Sequence, residues 1–581
     1  MHGDGIAGVT TDDITASGCS RPWPRWFGFV LPAAVFLATC AAFLPAVWND
    51  FVTLDDPKNF LHNYNYRGLG LQNIRWAWTT FHNGAYQPLS WILFGAQYVA
   101  WGLNPTGYHI VSILLQGINA VLFYLVALRL LPLTMPATGR DHPAALPLSA
   151  ALASLLFAIH PLRTEAVAWL STQPYLPVGM FYLLSVLAYL RACRCSGDSR
   201  RTRVTWLAAS CLCYGASILS KGVGVGLIAV LLILDVYPLR RVWPGRAWGS
   251  AGESTRAVLS EKVPFLVLGL ASALLAVHSK REAMVPVASY DVPHRIVQAA
   301  WGVMFYLVKT ILPIGLSPWY QFPDGFSVWE PRFVISVILV VVITIGAVLI
   351  WKRWPAGTAL WAYYLIVLVP LSHLVRLGRQ AAADRYSYVS CMGWALLGGA
   401  GLLAAWRARR SGQLTRAGFH AIAVGAVAAC IFLGGLSWRQ SQFWRDGLTL
   451  WARAVAVSPN IPVPHNNLGE ELRRRGELAR ASYHLETAIR LDPNDGAARS
   501  NLAMVRLAEG RPNEAIEMLH EAHRVNPSQP FAYGNLGAIY LTLGQLDLAI
   551  DALWQAIHTQ PNDPSARCNL ATALILSLIH I

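Results

Sequence analysis

Long apolar stretches separated by short basic or polar loops dominate the first three quarters of the chain. A helix that crosses the lipid core needs about 20 mainly apolar residues. Another stretch, 296–314, contains Lys309 and Pro313 and is interpreted as re-entrant or interfacial. The pattern predicts a polytopic membrane bundle with spans at 27–47, 107–131, 147–160, 174–190, 204–219, 222–238, 263–278, 331–350, 357–375, 386–406 and 418–436.

The last part of the chain follows a different pattern, in which small and turn-forming residues recur every 34 positions. The recurring positions are Pro459, Pro493, Pro527 and Pro561; Asn467, Asn501, Asn535 and Asn569; Gly476, Gly510 and Gly544; Ala481, Ala515 and Ala549; and Ala488, Ala522 and Ala556. This period, with small residues at helix contacts and Pro after the second helix, is typical of tetratricopeptide repeats (TPRs). Three repeats are enough for a continuous core.

These two patterns predict an all-α protein in which a transmembrane helix bundle is followed by a TPR α-solenoid. The ending 576–581 breaks the repeat pattern, and we expect it not to belong to the natural chain. The predicted segments are a cytoplasmic tail 1–26, a membrane domain 27–436 with a first outer loop 48–106, a linker 437–464, and repeats over 465–575 (465–498, 499–532, 533–566 and an incomplete fourth). Within the first outer loop, 71–82 has the composition of a helix that lies in the membrane interface or caps the bundle.

Charge supports the membrane interpretation and sets the expected orientation. Only 13% of the residues are charged, against about 25% in soluble proteins. The net charge of +15 is concentrated in short loops between apolar stretches, which argues against a nucleic-acid-binding surface. If these loops are cytoplasmic, the N-terminus lies inside and the repeats lie outside. The nine Cys residues form no recognisable disulfide framework or metal motif.

Two adjacent acids, Asp55 and Asp56, follow the first predicted span in WNDFVTLDDPKNF. A carboxylate at the outer membrane surface can act as a general base or bind a cation. An acidic pair before a Pro is equally well explained as a solvated turn.

Ionisable residues also follow the third predicted span, in AIHPLRTEAVAWLSTQ. His160 is a candidate for orienting an acceptor or a phosphate, and Glu165 is a candidate partner for Arg163. Such groups at a membrane surface require partners or a cavity. A local ion pair that anchors the helix end is the alternative.

Three further cations are predicted on the outer face, against the usual bias of basic residues to the inside. Lys221 lies in ILSKGVGVG, and Arg376 and Arg385 lie in HLVRLGRQAAADRYSY. They are candidate phosphate ligands, and contact with lipid head groups is the alternative. No phosphate-binding loop of the G-x-x-x-x-G-K-[ST] type, no H-E-x-x-H and no nucleophile elbow occurs, so ATPase, zinc-protease and serine-hydrolase functions lose their main support.

Several features of the chain, taken in order, resemble one known family. They are the acidic pair, HPLRTEAVAW, SKG before an apolar run ending at Asp235, DRYSYVSCMG and the repeats. They are similar to bacterial relatives of the transmembrane and tetratricopeptide-containing O-mannosyltransferases, in the GT-C superfamily. The resemblance implies a GT-C-like bundle that transfers a sugar, mannose, from a polyprenyl-phosphate donor to protein Ser or Thr hydroxyls.

The same resemblance implies that Asp55 or Asp56 is the base and that Lys221 and Arg385 face the donor phosphate. It implies a bacterial inner membrane, an acceptor polypeptide held in the TPR groove and an extracytoplasmic site. The sequence requires no cofactor, and it leaves open whether a divalent metal takes part.

Two other functions are compatible with the sequence. A membrane-anchored TPR scaffold for envelope assembly predicts that Asp55 and Asp56 are dispensable. A lipid-linked glycan polymerase or ligase usually has a large outer loop late in the membrane domain, whereas the longest loop here is the first.

The predicted orientation is testable with a reporter that is active only outside the cytoplasm. Fused after residue 450, it should be active because the basic loops are predicted to be inside. An inactive fusion with confirmed expression would place the repeats in the cytoplasm.

Overall fold

The computed structural model describes residues 27–136, 142–194, 200–242, 255–279, 292–322, 326–371, 380–526, 531–560 and 563–579. Across these ranges the protein is helical, and strand-like pairing is limited to a single bridge between Tyr320 and Ala382. The predicted all-α class is confirmed.

The membrane part is built from long helices and short helical turns. The helices are α1 (Phe27–Phe43), α2 (Leu71–Thr79), α3 (Pro88–Trp101), α4 (Pro105–Thr134), α5 (Ala145–Ala158), α6 (Tyr175–Arg194), α7 (Arg200–Ser220), α8 (Leu227–Val236), α9 (Val263–Ser279), α10 (Val292–Ile311), α11 (Pro331–Leu349), α12 (Pro355–Leu368), α13 (Met392–Arg410) and α14 (Arg416–Gln442). The turns are Leu44–Trp48, Pro57–Leu61, His82–Gly84, Pro161–Arg163, Thr164–Ala168, Leu170–Thr172, Gly222–Gly226, Thr255–Ser260, Val369–Leu371, Asp384–Tyr386 and Ser387–Ser390.

Six helical stretches of the described chain are long and apolar enough to cross a membrane, and the number is eight if two bent pairs each form one span. The protein is therefore an integral membrane protein. The described residues of the eleven predicted spans fall mostly on helices, but the helices at 204–219, 222–238 and 357–371 are too short or not apolar enough to be counted.

The bundle has two chemically different ends. Helices α4 and α6 both start beside the segment that follows α5, since Gln173 contacts Tyr108 and Asn119 contacts Leu176. At their far ends, Arg241 and Lys262 pair with the buried Asp235 at 3.1 and 2.7 Å, and Arg407 donates to the Met135 carbonyl. Several predicted cytoplasmic loops thus converge at one end of the bundle.

Helix α10, which covers most of 296–314, forms hydrogen bonds to several other segments. Thr310 accepts from His160 through its carbonyl, and the Tyr306 hydroxyl bonds Ala383. Near its start, the His294 ring bonds the Phe326 carbonyl. These bonds tie α10 to neighbouring segments near both of its ends.

The first outer loop carries two helices around an aromatic cluster. Phe60, Tyr66, Trp91, Phe94 and Tyr108 are buried against one another. Helix α2 lies within the predicted 71–82: its Ala77 is buried in this cluster, while Leu71 and Trp78 are exposed. The helix therefore caps the loop with one face and leaves an apolar face uncovered.

The repeats form paired helices: α15 (Gly447–Val457) precedes α16 (Pro462–Arg474), α17 (Leu478–Leu491), α18 (Gly496–Ala508), α19 (Pro512–Val525), α20 (Phe531–Thr542), α21 (Leu546–Thr559) and α22 (Pro564–Ile579). Gly476, Gly510 and Gly544 end the first helix of each pair at φ between 72° and 80°, where a side chain is strained. The recurring Ala residues are buried at the helix contacts.

The segment 437–464, predicted to be a linker, is mostly helical. Helix α14 continues to Gln442, and α15 packs on α16. The Asp446 side chain caps α15 by accepting from the Thr449 amide at 2.8 Å, a cap that lies outside the repeat period used for the prediction. The repeats therefore follow the last span without a flexible spacer.

The repeat register predicts the effect of filling a helix contact. Ala515 is fully buried in the second repeat, so Ala515→Trp should destabilise the segment 447–575 by about 1–3 kcal/mol or more through overpacking. Ala479→Trp is the control, because Ala479 is exposed on α17. Thermal unfolding followed by helical circular dichroism should show a lower midpoint for the first variant only; equal midpoints would refute the register.

Candidate active site

The two adjacent acids have opposite environments. Asp55 is exposed, whereas Asp56 is 1% exposed. One Asp56 oxygen accepts from the Ser171 amide at 3.0 Å and hydroxyl at 2.5 Å, and the other accepts from the Val52 amide at 3.0 Å. Asp56 thus fastens the first outer loop to the segment after α5, and Asp55 is left facing solvent.

Burial controls the ionisation of Asp56. Removal from water raises the pKa of its carboxyl from 3.8 to about 7, although the hydrogen bonds from Ser171 and Val52 favour the charged form. The neighbouring charge of Asp55 acts in the same direction as burial. The pKa of Asp56 therefore lies near neutrality, and its side chain is buried.

A chain of polar side chains extends this anchor into the outer loop. The Asn59 amide donates to the Ser171 hydroxyl at 2.9 Å, and the Asn83 amide donates to the Asn59 oxygen at 2.8 Å. Asn83 has φ 52°, a conformation that Asn tolerates better than most residues. The loop around the acids is thus held from both of its ends.

Glu165 and Arg385 form a buried ion pair. The Arg385 guanidinium bonds one Glu165 oxygen, and the Arg385 amide donates to the other at 2.7 Å. Their side chains are 2% and 13% exposed, so part of Arg385 reaches the surface. A carboxylate that binds both groups of Arg385 fixes the direction of its remaining donors.

The expected pair between Glu165 and Arg163 does not form. Arg163 is buried, donates to the Ser387 hydroxyl at 2.8 Å, and lies near the rings of Phe157 and Tyr388. The two residues are only two positions apart and Glu165 already begins a helical turn, so their side chains point in different directions.

Stacked aromatic rings connect Arg385 to the end of the last span. The Arg385 guanidinium carbon lies 5.2 Å from the Trp169 ring centroid, and Trp169 stacks on Trp444 with centroids 5.6 Å apart. Arg385 is thereby held against the segment that carries Ser171.

Lys221 lies near the same segment. Its ammonium group is 5.2 Å from the Tyr175 ring centroid and 3.5 Å from the Gln87 amide oxygen. Tyr175 also interacts with Arg385 through its hydroxyl. The two predicted phosphate ligands are thus brought to one place by a residue that the sequence analysis did not select.

His160 has both ring nitrogens occupied within the protein. Nδ1 accepts from the Leu162 amide at 3.2 Å, and Nε2 faces the Thr310 carbonyl at 3.0 Å. This arrangement requires the proton on Nε2 and ties α10 to the 160–175 segment. Arg376, the last candidate, lies outside the described residues.

Within the described part of the chain, no group of three or more His, Cys, Asp or Glu side chains is arranged to hold a metal ion. The candidate site comprises the exposed carboxylate of Asp55, the buried carboxylates of Asp56 and Glu165, and the cations Lys221 and Arg385. Its supporting residues Ser171, Asn59, Tyr175 and Trp444 were not predicted. Ser171 stands in the motif that was singled out, but only the fold reveals that it meets Asp56.

Comparison with known proteins supports two parts of this picture. The family model described as "Tetratricopeptide repeat" matches residues 472–519 and 506–575. The chain is homologous to protein O-mannosyl-transferases. It is 24% identical over 472 residues to Protein O-mannosyl-transferase Tmtc3 of Drosophila melanogaster, covering 70% of this chain and 48% of that protein.

A shorter match has higher identity. Protein O-mannosyl-transferase TMTC2 of Homo sapiens is 34% identical over 173 residues, which are 29% of this chain and 19% of the relative. The chain thus spans about half or less of the length of these relatives. The crystal structure of the Archaeoglobus fulgidus oligosaccharyltransferase in the apo form aligns with a TM-score of 0.37 at 14% identity, over 72% of this chain and 57% of that chain. A TM-score this low supports no conclusion.

The raised pKa of Asp56 predicts how stability depends on pH. A carboxyl whose folded pKa lies above its unfolded pKa stabilises the fold fully below the unfolded value, and this contribution is lost as pH rises through the folded value. Between pH 4 and 8, the wild-type free energy of unfolding should fall by up to about 4 kcal/mol from this group.

Asp56→Asn removes the titration, so its thermal midpoint in detergent should decline less between pH 5 and 8 than that of the wild type. Asp55→Asn is the matched control and should keep the wild-type slope. Parallel slopes for the wild type and Asp56→Asn would contradict the burial argument.

Proposed function

We propose that this protein is a GT-C-like membrane glycosyltransferase that moves a sugar, mannose, from a polyprenyl-phosphate donor to a Ser or Thr hydroxyl of a polypeptide. The observation that carries the proposal is an exposed carboxylate, Asp55, on a loop fastened to the segment that also organises Arg385 and Lys221. The similarity over 70% of the chain to proteins named protein O-mannosyl-transferases supports the same chemistry.

Asp55 is the general base in this proposal, because it is the member of the acidic pair that a substrate can reach. Its carboxylate accepts the hydroxyl proton while the hydroxyl oxygen bonds the anomeric carbon of the sugar. The bond between that carbon and the phosphate oxygen breaks, and the electron pair leaves with the phosphate. The products are the glycosylated side chain, the polyprenyl phosphate and protonated Asp55.

Arg385 and Lys221 stabilise the negative charge that develops on the leaving phosphate. Fixed cations do this well because they need little rearrangement during the reaction. Glu165 holds Arg385 in place, and Trp169 supports its flat face. Asp56 positions Asp55 rather than touching substrate, since its oxygens are committed to Ser171 and Val52.

The acceptor side of the proposal rests on where the repeats attach. The Trp451 indole of α15 donates to the Thr53 hydroxyl at 3.3 Å, two residues before Asp55. The repeats are protein-interaction modules and lie at the same end of the bundle as the acids. An acceptor polypeptide in their groove is close to the base, on the extracytoplasmic side of a bacterial inner membrane.

The test follows radiolabelled mannose from a polyprenyl-phosphate donor to a Ser/Thr peptide with purified protein. Asp55→Asn keeps the size of the side chain but cannot accept the proton, so transfer should fall by about 10²–10⁴-fold. Asp50→Asn is the matched control, because Asp50 is an exposed acid in the same segment and should retain wild-type activity.

Three results would overturn the proposal or its assignment. Absence of transfer by the wild type removes the proposed function and favours a scaffold. Transfer to a lipid-linked glycan instead of the peptide favours a polymerase or ligase. If Asp55→Asn keeps full activity and Asp56→Asn loses it, Asp56 is the general base and Asp55 is not.

A further inference from the structure

The repeats and the acidic pair share one apolar cluster. Trp451 of α15 is fully buried together with Leu468 and Leu472 of the first repeat, and Leu54 packs against the same cluster. Leu54 directly precedes Asp55. The core of the repeat array therefore includes the residue next to the proposed base.

Hydrogen bonds reinforce this contact along the preceding residues. The Asn49 side chain donates to the Ser441 carbonyl at 3.0 Å, and the Asp50 amide donates to the Arg445 carbonyl at 2.8 Å. With the Trp451–Thr53 bond, the stretch 49–54 is attached at several points to the segment that links the last span to the repeats.

A close approach occurs at Gly447, the first residue of α15. A Cβ added there would overlap the Thr53 hydroxyl and lie 2.7 Å from the carboxyl carbon of Glu471 in α16. An added methyl group would therefore force the Thr53 and Glu471 side chains to move.

Asp55 is consequently held from both sides. Before it, Leu54 is embedded in the array and its amide donates to the Val52 carbonyl. After it, Asp56 is fastened to Ser171. The position of the exposed carboxylate depends on the array on one side and on the membrane bundle on the other.

We propose that Gly447 and Trp451 are positioning residues for Asp55, so that the docked array sets the geometry of the base. The proposal rests on the proposed function and adds to it a direct role for the array in the chemical step. It predicts an effect on turnover even for acceptors too short to occupy the repeats. Donor binding is spared, because Lys221 and Arg385 are held by the 160–175 segment.

Gly447→Ala tests this coupling without touching the bundle. The added methyl group should displace Thr53 and the acid that follows it, and a shift of about 1 Å in a reacting group can cost about a hundredfold in rate. We expect kcat for a short Ser/Thr peptide to fall at least tenfold, with KM for the polyprenyl-phosphate donor within twofold of wild type.

Two variants accompany it. Gly534→Ala is the matched control, because a Cβ at Gly534 meets no atom within 4 Å, and it should keep wild-type kinetics. Thr53→Ala removes the hydroxyl that the new methyl group would strike. Because this hydroxyl also accepts from Trp451, Thr53→Ala alone should lower kcat, and combined with Gly447→Ala it should cost less than the sum of the two single effects, giving a non-additive double-mutant cycle.

Amide hydrogen exchange over residues 49–59 provides a readout that does not need activity. Exchange should be faster in Gly447→Ala than in Gly534→Ala and the wild type. Unchanged exchange and unchanged kcat would overturn the positioning role. If the wild type transfers no sugar, the proposed function fails, and exchange alone then decides whether the array orders this loop.

Discussion

The site depends on the burial of a chain segment that is not a continuous helix. Residues 160–175 are buried in the bundle but alternate between short turns, so their backbone groups cannot all bond within one helix. In a membrane bundle such groups must be satisfied by protein. Gln116 and Ser437 bond the carbonyls that precede the segment, Asn119 bonds Leu176, and Asp56 accepts from the Ser171 amide.

This requirement explains why the two acids differ. Asp56 is one of the acceptors that the buried segment needs, and three hydrogen bonds reduce, without cancelling, the cost of removing its carboxylate from water. Asp55, the residue before it, has no such task and stays at the surface. The same segment carries Glu165 and Trp169, which hold Arg385 in place. One buried segment therefore positions both carboxylates and a guanidinium group.

The sequence predicted the helical class, the repeats and the approximate spans because periodic patterns reflect which face of a helix is buried. It selected Asp55, Asp56, Lys221 and Arg385, but it could not distinguish the two acids, since burial of Asp56 depends on Ser171, 115 positions away. For the same reason, the sequence predicted an ion pair between Glu165 and the neighbouring Arg163, and not between Glu165 and Arg385. Helix α15 was missed because it lies outside the repeat period.

The shared core of Leu54, Trp451 and the first repeat also affects how the array unfolds. A free solenoid frays from both ends, because each terminal repeat has a neighbour on one side only. Here the first repeat has the membrane bundle as its second neighbour. Its local stability is therefore joined to that of the bundle, and opening of the first repeat requires that the contact between Leu54 and Trp451 is broken as well.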